Sequence, residues 1–350
     1  DAGRVEVPVG GYVAHLLPDD FNAVWLRFRS SQDCVATAFL HQTSANFVDG
    51  SAAENKALFS SLADVRDKDV RGGVLYPAKR NRNLRMITSR DRHYDFTKTG
   101  FEFEPDEPDA QLKTRLRVQP EFTVDDASVV LRYEGKTLRL PKGDAAFDQL
   151  FAAGRPRAIR EVESERNIAN IHGTFYEVPL ITNGQPPQFQ RMRPVSSHSK
   201  QIMDYCSWNG LLAITGVRNN ASADQHVFVS KDRDAAIWFG AVDDLWKLGK
   251  PVGRGGPWYK TRAEAEVPSD PYLMTGYDRK TAVMSHASTE AVTFTLQIDI
   301  DGTGLWVDYQ SFKIEPNQSI TQTFPIGFSA CWLRAKCDRD TVATLQLTYE

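Results

Sequence analysis

The chain consists largely of short segments in which apolar and polar residues alternate, and pairs of turn-forming residues separate these segments. Residues 129–133 and 137–140, for example, flank a turn pair at 134–135. Alternation with a period of two is typical of a strand with one buried face, because successive side chains point to opposite sides. Segments with helical periodicity are few. Many short strands at regular spacing predict an all-β fold, built as a sandwich or as a propeller.

One part of the sequence is repeated near the two ends of the chain. Residues 21–37 match residues 328–344 at nine of seventeen positions without a gap, where chance gives about one match. In the second copy, the apolar Leu333 lies between Trp332 and Arg334. Each copy therefore has one apolar face and one Trp/Arg face, as a half-buried antiparallel strand does.

The repeat sets the predicted domain organisation. Residues 290–350 contain further strand segments before the second copy and are predicted to form a C-terminal β-sandwich. Residues 1–46 hold only the later strands of the same module, so we expect an upstream segment, or a homo-oligomer that forms through these modules. The stretch 47–289 suits a β-propeller of about five blades at the usual 40–50 residues per blade.

Composition excludes several classes of function. The formal net charge of −3 over 350 residues argues against a nucleic-acid surface or a polybasic membrane patch. No apolar run approaches the roughly 20 residues that span a bilayer. Four cysteines are too few for a disulfide scaffold, and Cys331 and Cys337 lie too far apart on one strand to form a bridge. No tight His/Cys spacing indicates a metal site, so we expect no cofactor beyond a structural calcium ion, which the sequence leaves open.

The stretch 167–217 concentrates groups that can transfer protons. His172 precedes a predicted strand, at a loop position suited to a general acid or base, and Tyr176 follows on the same predicted side. His198 lies in a polar loop, and Asp204 comes just before the next strand. We predict these four residues as catalytic. Each can instead have a structural role, for example as a loop-capping imidazole or a core aromatic ring.

Six further residues are predicted to bind substrate. Arg191 and Arg193 lie two positions apart, so that both guanidinium groups can grip a carboxylate or sulfate from one strand face. Trp208 can stack on the apolar face of a sugar ring. The full set is Arg191, Arg193, Tyr205, Trp208, Trp258 and Asp270. The structural alternatives are a solvated strand face for the arginines and packing between blades for Trp208.

Two turns carry a resemblance to a known family. Residues 89–96 and 230–238 each contain Ser-x-Asp followed by an aromatic residue. They resemble the Asp-box turns of sialidase-like propellers, Ser-x-Asp-x-Gly-x-x-Trp, although neither has the glycine, the first ends in Phe96 and the second has Trp238 one place late. The overall pattern looks like bacterial propeller glycosidases and polysaccharide lyases. That resemblance implies a glycan substrate and a secreted or periplasmic location, and it assigns no catalytic residue.

An enzyme is the first of three functions that the sequence leaves open. A glycoside hydrolase would use two carboxylates drawn from Asp204, Glu177, Asp243 and Asp270. A uronate lyase would instead neutralise the uronate carboxylate with an arginine, take the α proton with an imidazole and protonate the leaving oxygen with Tyr176.

The other two functions need no catalysis. A glycan-binding protein would use the tryptophan and tyrosine side chains as stacking platforms. An assembly protein would use the Trp/Arg faces as contact surfaces. For an assembly protein we expect a partner to cover Trp25 and Trp332, and the central pocket to be shallow or plugged.

Overall fold

The fold is described from a computed structural model. It describes residues 6, 29–33, 55, 57–78, 83–97, 103–119, 121–151, 154–163, 166–179, 188–326 and 328–350. The chain divides into two compact units, Asp1–Gln42 and Thr43–Glu350, and the elements below belong to the second. The predicted N-terminal module at 1–46, with Trp25, lies outside the described residues except at positions 6 and 29–33.

The first half of the second unit consists of short strands and brief helices. In chain order these are β1 (Val70–Arg71), β2 (Gly73–Ala78), β3 (Asn83–Thr88), β4 (His93–Thr97), β5 (Phe103–Asp106), α1 (Ala110–Arg115), β6 (Thr123–Val124), β7 (Val129–Tyr133), β8 (Lys136–Leu140), β9 (Ile159–Glu163), β10 (Arg166–Ile171), β11 (Thr174–Val178) and β12 (Arg193–Ser197). Turns of 3₁₀ helix occur at Ala145–Asp148 and Phe189–Arg191. The Asp109 side chain caps α1 by accepting a hydrogen bond from the Leu112 N–H at 2.9 Å.

The second half continues in the same way, with longer strands near the end. The strands are β13 (Tyr205–Trp208), β14 (Leu211–Ile214), β15 (Val217–Arg218), β16 (Val227–Val229), β17 (Ala236–Gly240), β18 (Gly253–Ala263), β19 (Tyr272–Leu273), β20 (Lys280–His286), β21 (Val292–Asp299), β22 (Trp306–Ile314), β23 (Ser319–Thr323), β24 (Trp332–Cys337) and β25 (Thr341–Tyr349). A further 3₁₀ helix spans Val242–Lys247. None of the described helices is long and apolar enough to cross a membrane.

Within the described ranges, three antiparallel sheets of four strands follow one another. Sheet A has the order β2-β3-β4-β5, sheet B the order β12-β11-β10-β9, and sheet C the order β13-β14-β17-β16. Sheets A and B are meanders, whereas in sheet C the hairpin β16–β17 folds back so that β17 pairs with β14. The chain is nearly all β, as predicted. The predicted count of five blades stays a prediction.

Several hairpins turn on a pair of residues that both have positive φ. The pairs are Glu134 with Gly135, His172 with Gly173, and Asn209 with Gly210, and their φ values lie between +48° and +80°. This type I′ geometry matches the twist of the flanking strands and favours glycine, which has no Cβ. A Cβ on Gly173 would lie 2.4 Å from the Phe147 ring and 2.9 Å from the His198 carbonyl oxygen. The His172 turn is therefore packed tightly against two other loops.

The Gly-Arg-Gly-Gly segment at 253–256, which the sequence pattern assigns to a turn, lies instead inside β18. Its glycines allow the backbone of β18 to approach the neighbouring strand β25. A Cβ on Gly256 would lie 2.0 Å from the Leu345 carbonyl oxygen. Close approach of two backbones thus explains this glycine run, and a turn does not.

The C-terminal strands belong to two further sheets that share one hydrophobic core. Sheet D has the order β22-β21-β24-β19-β8-β7-β6, and sheet E has the order β18-β25-β20-β23. Phe294 and Leu296 of sheet D and Met284 and Leu345 of sheet E are buried in the same cluster. Both sheets include strands from either side of residue 290. The division into domains at residues 46 and 289 stays a prediction.

The Trp/Arg face of the second repeat copy is partly covered by the chain itself. Trp332 is buried, and its indole N–H donates a hydrogen bond to the Gln190 carbonyl oxygen at 2.7 Å. The expectation that a partner covers Trp332 is therefore wrong. Cys331 and Cys337 are free, as their spacing predicted.

Candidate functional site

Asp204 lies where sheets A, B and C meet. Its side chain is 0% exposed. The carboxylate accepts hydrogen bonds from the N–H of Leu75 in β2 at 2.8 Å and from Arg160 in β9 at 2.9 and 3.1 Å. It also accepts the N–H of Tyr205, the first residue of β13, at 2.9 Å. One carboxylate thus links an edge strand of each sheet. Its contacts in the structure are structural ones, and the catalytic role of Asp204 stays a prediction.

Two arginines balance the charge of Asp204. Burial alone lowers the pKa of Arg160, but the Asp204 carboxylate raises it above its ordinary value. The Arg157 Nε atom lies 3.4 Å from Asp204 Oδ1. Side chains thus fill the meeting point of the three sheets. We term this group, Asp204 with Arg157, Arg160 and Tyr205, the plug.

Tyr205, predicted to bind substrate, is part of the same plug. Its side chain is buried, and its hydroxyl lies 2.6 Å from the Ala158 carbonyl oxygen and 2.7 Å from the Ile168 carbonyl oxygen. Burial raises the pKa of Tyr205 well above its ordinary value, so the hydroxyl stays protonated. Tyr205 therefore joins sheet C to sheet B and presents no surface to a ligand.

His172 lies in the β10–β11 turn with both ring nitrogens occupied. Its Nδ1 accepts the Gly143 N–H at 3.0 Å, which leaves the ring proton on Nε2, 2.9 Å from Asp148 Oδ1. Burial lowers the pKa of His172, and the opposing effect of Asp148 does not restore it. The imidazole is buried and neutral, although its partner Asp148 is 46% exposed.

His198 has the same arrangement on the other side of the Phe147 ring. Its Nδ1 accepts the Lys200 N–H at 3.0 Å, so Nε2 donates to Asn170 Oδ1 at 2.9 Å. Burial lowers the pKa of His198 to about 3. The ring centroids of His172 and His198 lie 5.7 and 5.9 Å from that of Phe147. The structure brings the two predicted imidazoles together, but as loop-capping groups.

The remaining predicted aromatic residues are core side chains. Tyr176 is fully buried with the core of sheets D and E, and burial raises its pKa to about 12. The Trp208 ring packs against Phe96 at 5.2 Å, and the Trp258 ring packs against Phe294 at 5.8 Å. All three are at most 5% exposed. They lack the exposure that proton donation to a substrate or stacking on a sugar requires.

The predicted anion-binding arginines do not act as a pair. Arg191 ends a 3₁₀ helix, whereas Arg193 begins β12 and donates to Glu177 Oε2 at 2.8 Å. Asp270 is elsewhere, accepting a hydrogen bond from Arg139 Nε at 2.9 Å. The two guanidinium groups therefore do not share one strand face, and Asp270 serves an ion pair.

A different set of charged residues converges on one surface, and sequence analysis missed most of it. We term it the loop-end cluster, because its members lie in loops, turns and the ends of strands. Its members are Asp64, Arg66, Asp67, Asp144, Asp148, His172, Lys200 and Arg218.

Long-range ion pairs hold the loop-end cluster together. Asp64 Oδ1 lies 2.8 Å from Lys200 Nζ, and its other oxygen pairs with Arg218. Arg66 pairs with Asp144 at 2.6 Å across 78 positions of sequence. The 3₁₀ turn that follows Asp144 ends at Asp148, whose carboxylate contacts His172. The cluster thus joins the loops near residues 64, 146, 172, 200 and 218.

The carboxylates of the cluster are accessible to solvent. The side chains of Asp64, Asp67, Asp144 and Asp148 are between 32% and 46% exposed. Burial alone raises the pKa of Asp64, but Lys200 and Arg218 hold it below its ordinary value. The Ala146 N–H, followed by Arg66, lowers the pKa of Asp144. Half-exposed carboxylates beside cations present both hydrogen-bond acceptors and donors to solvent.

A polar cleft adjoins the cluster at Arg218. Its volume is about 290 Å³, close to the lower end of the range for small-molecule sites. Hydroxyl, amide, guanidinium and carboxylate groups line it, from Ser60, Ser61, Ser222, Asn220, Arg218 and Asp224, beside the methyl groups of Ala221 and Ala223. The cleft extends the hydrogen-bonding surface of the cluster without adding an aromatic ring.

The sequence held a partial signal for this site. The run of alternating charges from Asp64 to Asp69 lies in a loop, where binding residues are often found. The partners Asp144 and Lys200 are far away in sequence, and no local pattern indicates that they meet. Within the described ranges, no group of three or more metal-ligating side chains is arranged to hold an ion.

Comparisons with known proteins add little. No protein-family model matches the chain, and no curated protein matches it. Among solved structures, a glycoside hydrolase matches at 8% identity and a TM-score of 0.18, over 77% of this chain and 81% of its own. The Bombyx mori GH32 β-fructofuranosidase matches at 8% identity and 0.19, over 81% and 80%. The exo-β-1,3-galactanase of Phanerochaete chrysosporium matches at 10% and 0.15, over 79% and 80%. These neighbours are glycoside hydrolases, but likeness at such TM-scores carries no argument.

Proposed function

We propose that this protein is carbohydrate-active and that the loop-end cluster, with its adjoining cleft, contacts the hydroxyl groups of a glycan. The proposal rests on one observation, the convergence of half-exposed carboxylates and cations from separate loops. Carboxylates accept hydrogen bonds from sugar hydroxyls, and guanidinium and ammonium groups donate to them. Charges of both signs in near balance favour an uncharged polyhydroxyl ligand over a phosphate or nucleic acid.

Binding is favoured over cleavage because neither Asp64 nor Asp144 has the raised pKa that a general acid needs. Glycoside hydrolysis needs one carboxyl group that stays protonated through a raised pKa, next to a second that is ionised. In the cluster, Asp64 and Asp144 have lowered pKa values. Hydrolysis of a glycosidic bond remains the second candidate, since four carboxylates share one surface. A secreted or periplasmic location belongs to the same proposal.

The test is a titration of the protein with a panel of neutral and acidic oligosaccharides, followed by calorimetry on the best ligand. We expect Arg66→Gln and Asp148→Asn each to weaken binding about tenfold or more, because each removes a charged hydrogen-bonding group. Glu290→Gln is the matched control. Glu290 is 73% exposed and forms an ion pair with Arg339, outside the loop-end cluster.

Product analysis on the same panel separates the two candidates. New reducing ends that disappear in Asp148→Asn would establish hydrolysis. Ultraviolet absorbance of unsaturated uronates would establish the lyase. Binding without either product supports the first candidate. Equal affinity in the control and in both cluster variants would contradict the assignment of glycan binding to the loop-end cluster.

A further inference from the structure

One short segment of the loop-end cluster has a single backbone tether to the rest of the protein. Gly143 and the 3₁₀ turn that follows it carry two of the cluster carboxylates, Asp144 and Asp148. Among the described residues, the backbone of 143–148 makes one hydrogen bond to the rest of the chain, from the Gly143 N–H to His172 Nδ1 at 3.0 Å. We term residues 143–148 the latch.

The side chains of the latch also converge on His172. Asp148 Oδ1 lies 2.9 Å from His172 Nε2, and the Phe147 ring centroid lies 5.7 Å from that of the imidazole. A further contact is the ion pair of Asp144 with Arg66, whose side chain is 68% exposed. The buried imidazole therefore touches the latch at its first residue, at its last residue and at the aromatic ring between them.

The His172 ring can hold the latch only while Nδ1 carries no proton. Nδ1 has one lone pair, and that lone pair accepts the Gly143 N–H. An imidazolium carries a proton on each nitrogen, so two donors would then face each other across this contact. The contact between Nε2 and Asp148 survives protonation, whereas the backbone tether does not.

The groups that face His172 favour the neutral ring on balance. Burial lowers its pKa, the Asp148 carboxylate raises it and Lys142 lowers it, with a net value below the ordinary 6.5. The other charged groups nearby are paired with each other, Asp144 with Arg66 and Lys200 with Asp64. Opening the latch exposes the ring to water, so the open form binds a proton more readily than the closed form.

We propose that the latch is a proton-operated switch, in which one proton taken from solvent at His172 Nδ1 breaks the Gly143 hydrogen bond and releases Asp144 and Asp148 from the loop-end cluster. The proton binds when the latch opens, and Nδ1 then cannot accept the Gly143 N–H again. The consequence for ligands rests on the proposed function. A glycan that contacts the latch carboxylates binds the closed form, so proton and glycan oppose each other.

Hydrogen exchange of the Gly143 amide, measured by NMR on the full chain, tests the switch. We expect its protection factor to fall about tenfold from about pH 7.5 to about pH 5.5, because one proton with an ordinary pKa of 6.5 favours the open latch. The amides of β25, in the core shared by sheets D and E, report global unfolding. A parallel fall in those amides would make the change global and would overturn the proposal.

His172→Asn is the matched variant. Its Oδ1 can accept the Gly143 N–H and takes up no proton in this range. Asn before Gly also suits the turn, because residues 172 and 173 both have positive φ. The protection factor of the Gly143 amide should then stay nearly constant between the two pH values. A constant value in the wild type, or an equal fall in His172→Asn, would contradict the switch.

A measurement with ligand separates this inference from the proposed function. A saturating amount of the best oligosaccharide of the panel should raise the protection factor of the Gly143 amide in the wild type at about pH 5.5. Unchanged protection with the oligosaccharide bound would contradict the opposition between proton and glycan. If no oligosaccharide binds, the proposed function fails, and the pH dependence of exchange in the wild type and His172→Asn still decides the switch.

Discussion

The plug around Asp204 and the loop-end cluster are built from the same chemical groups and differ in exposure. In both, aspartate carboxylates pair with arginines that come from distant parts of the chain. The Asp204 carboxylate is 0% exposed and every hydrogen bond it makes is to the protein. The cluster carboxylate side chains are between 32% and 46% exposed. Burial therefore decides which carboxylate holds sheets together and which can meet a ligand.

Asp204→Asn should have the largest effect on stability. It removes the charge that offsets Arg160 and leaves a buried guanidinium without compensation, which costs about 3–5 kcal/mol. Urea unfolding measures this as a lower transition midpoint. Glu290→Gln, at an exposed ion pair, should stay within about 0.5 kcal/mol of the wild type. Comparable values for the two variants would mean that the burial of Asp204 adds nothing to the stability of the fold.

Two glycines with positive φ, one close to the plug and one in an open turn, differ in how much space surrounds them. Gly216 has a φ of +109°, and a Cβ there would lie 1.9 Å from the Gln201 carbonyl oxygen. Gly210 has a φ of +78° with open space around it. We expect Gly216→Ala to cost about 2–5 kcal/mol through strain and overpacking, and Gly210→Ala about 1–2 kcal/mol through strain alone. Thermal unfolding of the two variants measures this difference. A larger loss of stability in Gly210→Ala than in Gly216→Ala would contradict the tight packing around Gly216.

The buried imidazoles predict how stability depends on pH. His198 has a pKa of about 3 in the folded protein and 6.5 as its ordinary value. Between these values the unfolded chain binds the proton and the folded chain does not, so stability is full above pH 6.5 and falls as pH falls. The slope is about 1.4 kcal/mol per pH unit for each such imidazole.

Unfolding measured from pH 7 to about pH 5 tests this slope, and His198→Gln should remove the part of the slope that His198 contributes. Asp64 and Asp144 also have lowered pKa values, and the stability they contribute is lost progressively below about pH 5, as the carboxylates of the unfolded chain bind protons around their ordinary pKa of 3.8. The interval above about pH 5 therefore separates the imidazole from these two carboxylates. An unchanged slope in His198→Gln would mean that His198 is protonated in the folded protein.

Among the stability changes predicted for the plug and the loop-end cluster, that of Arg66→Gln should be the smallest. Arg66 is 68% exposed, and its ion pair with Asp144 should contribute less than about 1 kcal/mol to unfolding. The same substitution should weaken glycan binding, if the cluster is the site. If Arg66→Gln unfolds as easily as Asp204→Asn, the ion pairs of the loop-end cluster stabilise the fold as strongly as those of the plug.

Sequence patterns predicted the strands better than the site. Short strand-like segments located β7, β8 and β21, because a strand with one buried face leaves a local signature. The Gly-Arg-Gly-Gly run at 253–256 has the composition of a turn, and its place inside β18 depends on close approach to β25, nearly ninety positions away. For the same reason, His172 and Asp204 looked catalytic. Their residue types indicate proton transfer, but their neighbours Gly143, Leu75 and Arg160 come from other sheets and loops.

The central claim is that a glycan contacts the exposed charges of the loop-end cluster while the plug stays closed. A crystal structure with the best ligand of the oligosaccharide panel tests it most directly. The account predicts sugar density within hydrogen-bonding distance of Arg66, Asp148 or Arg218, with Asp204 still bound to Arg160. Sugar density at the meeting point of sheets A, B and C, with Asp204 released to the ligand, would contradict it.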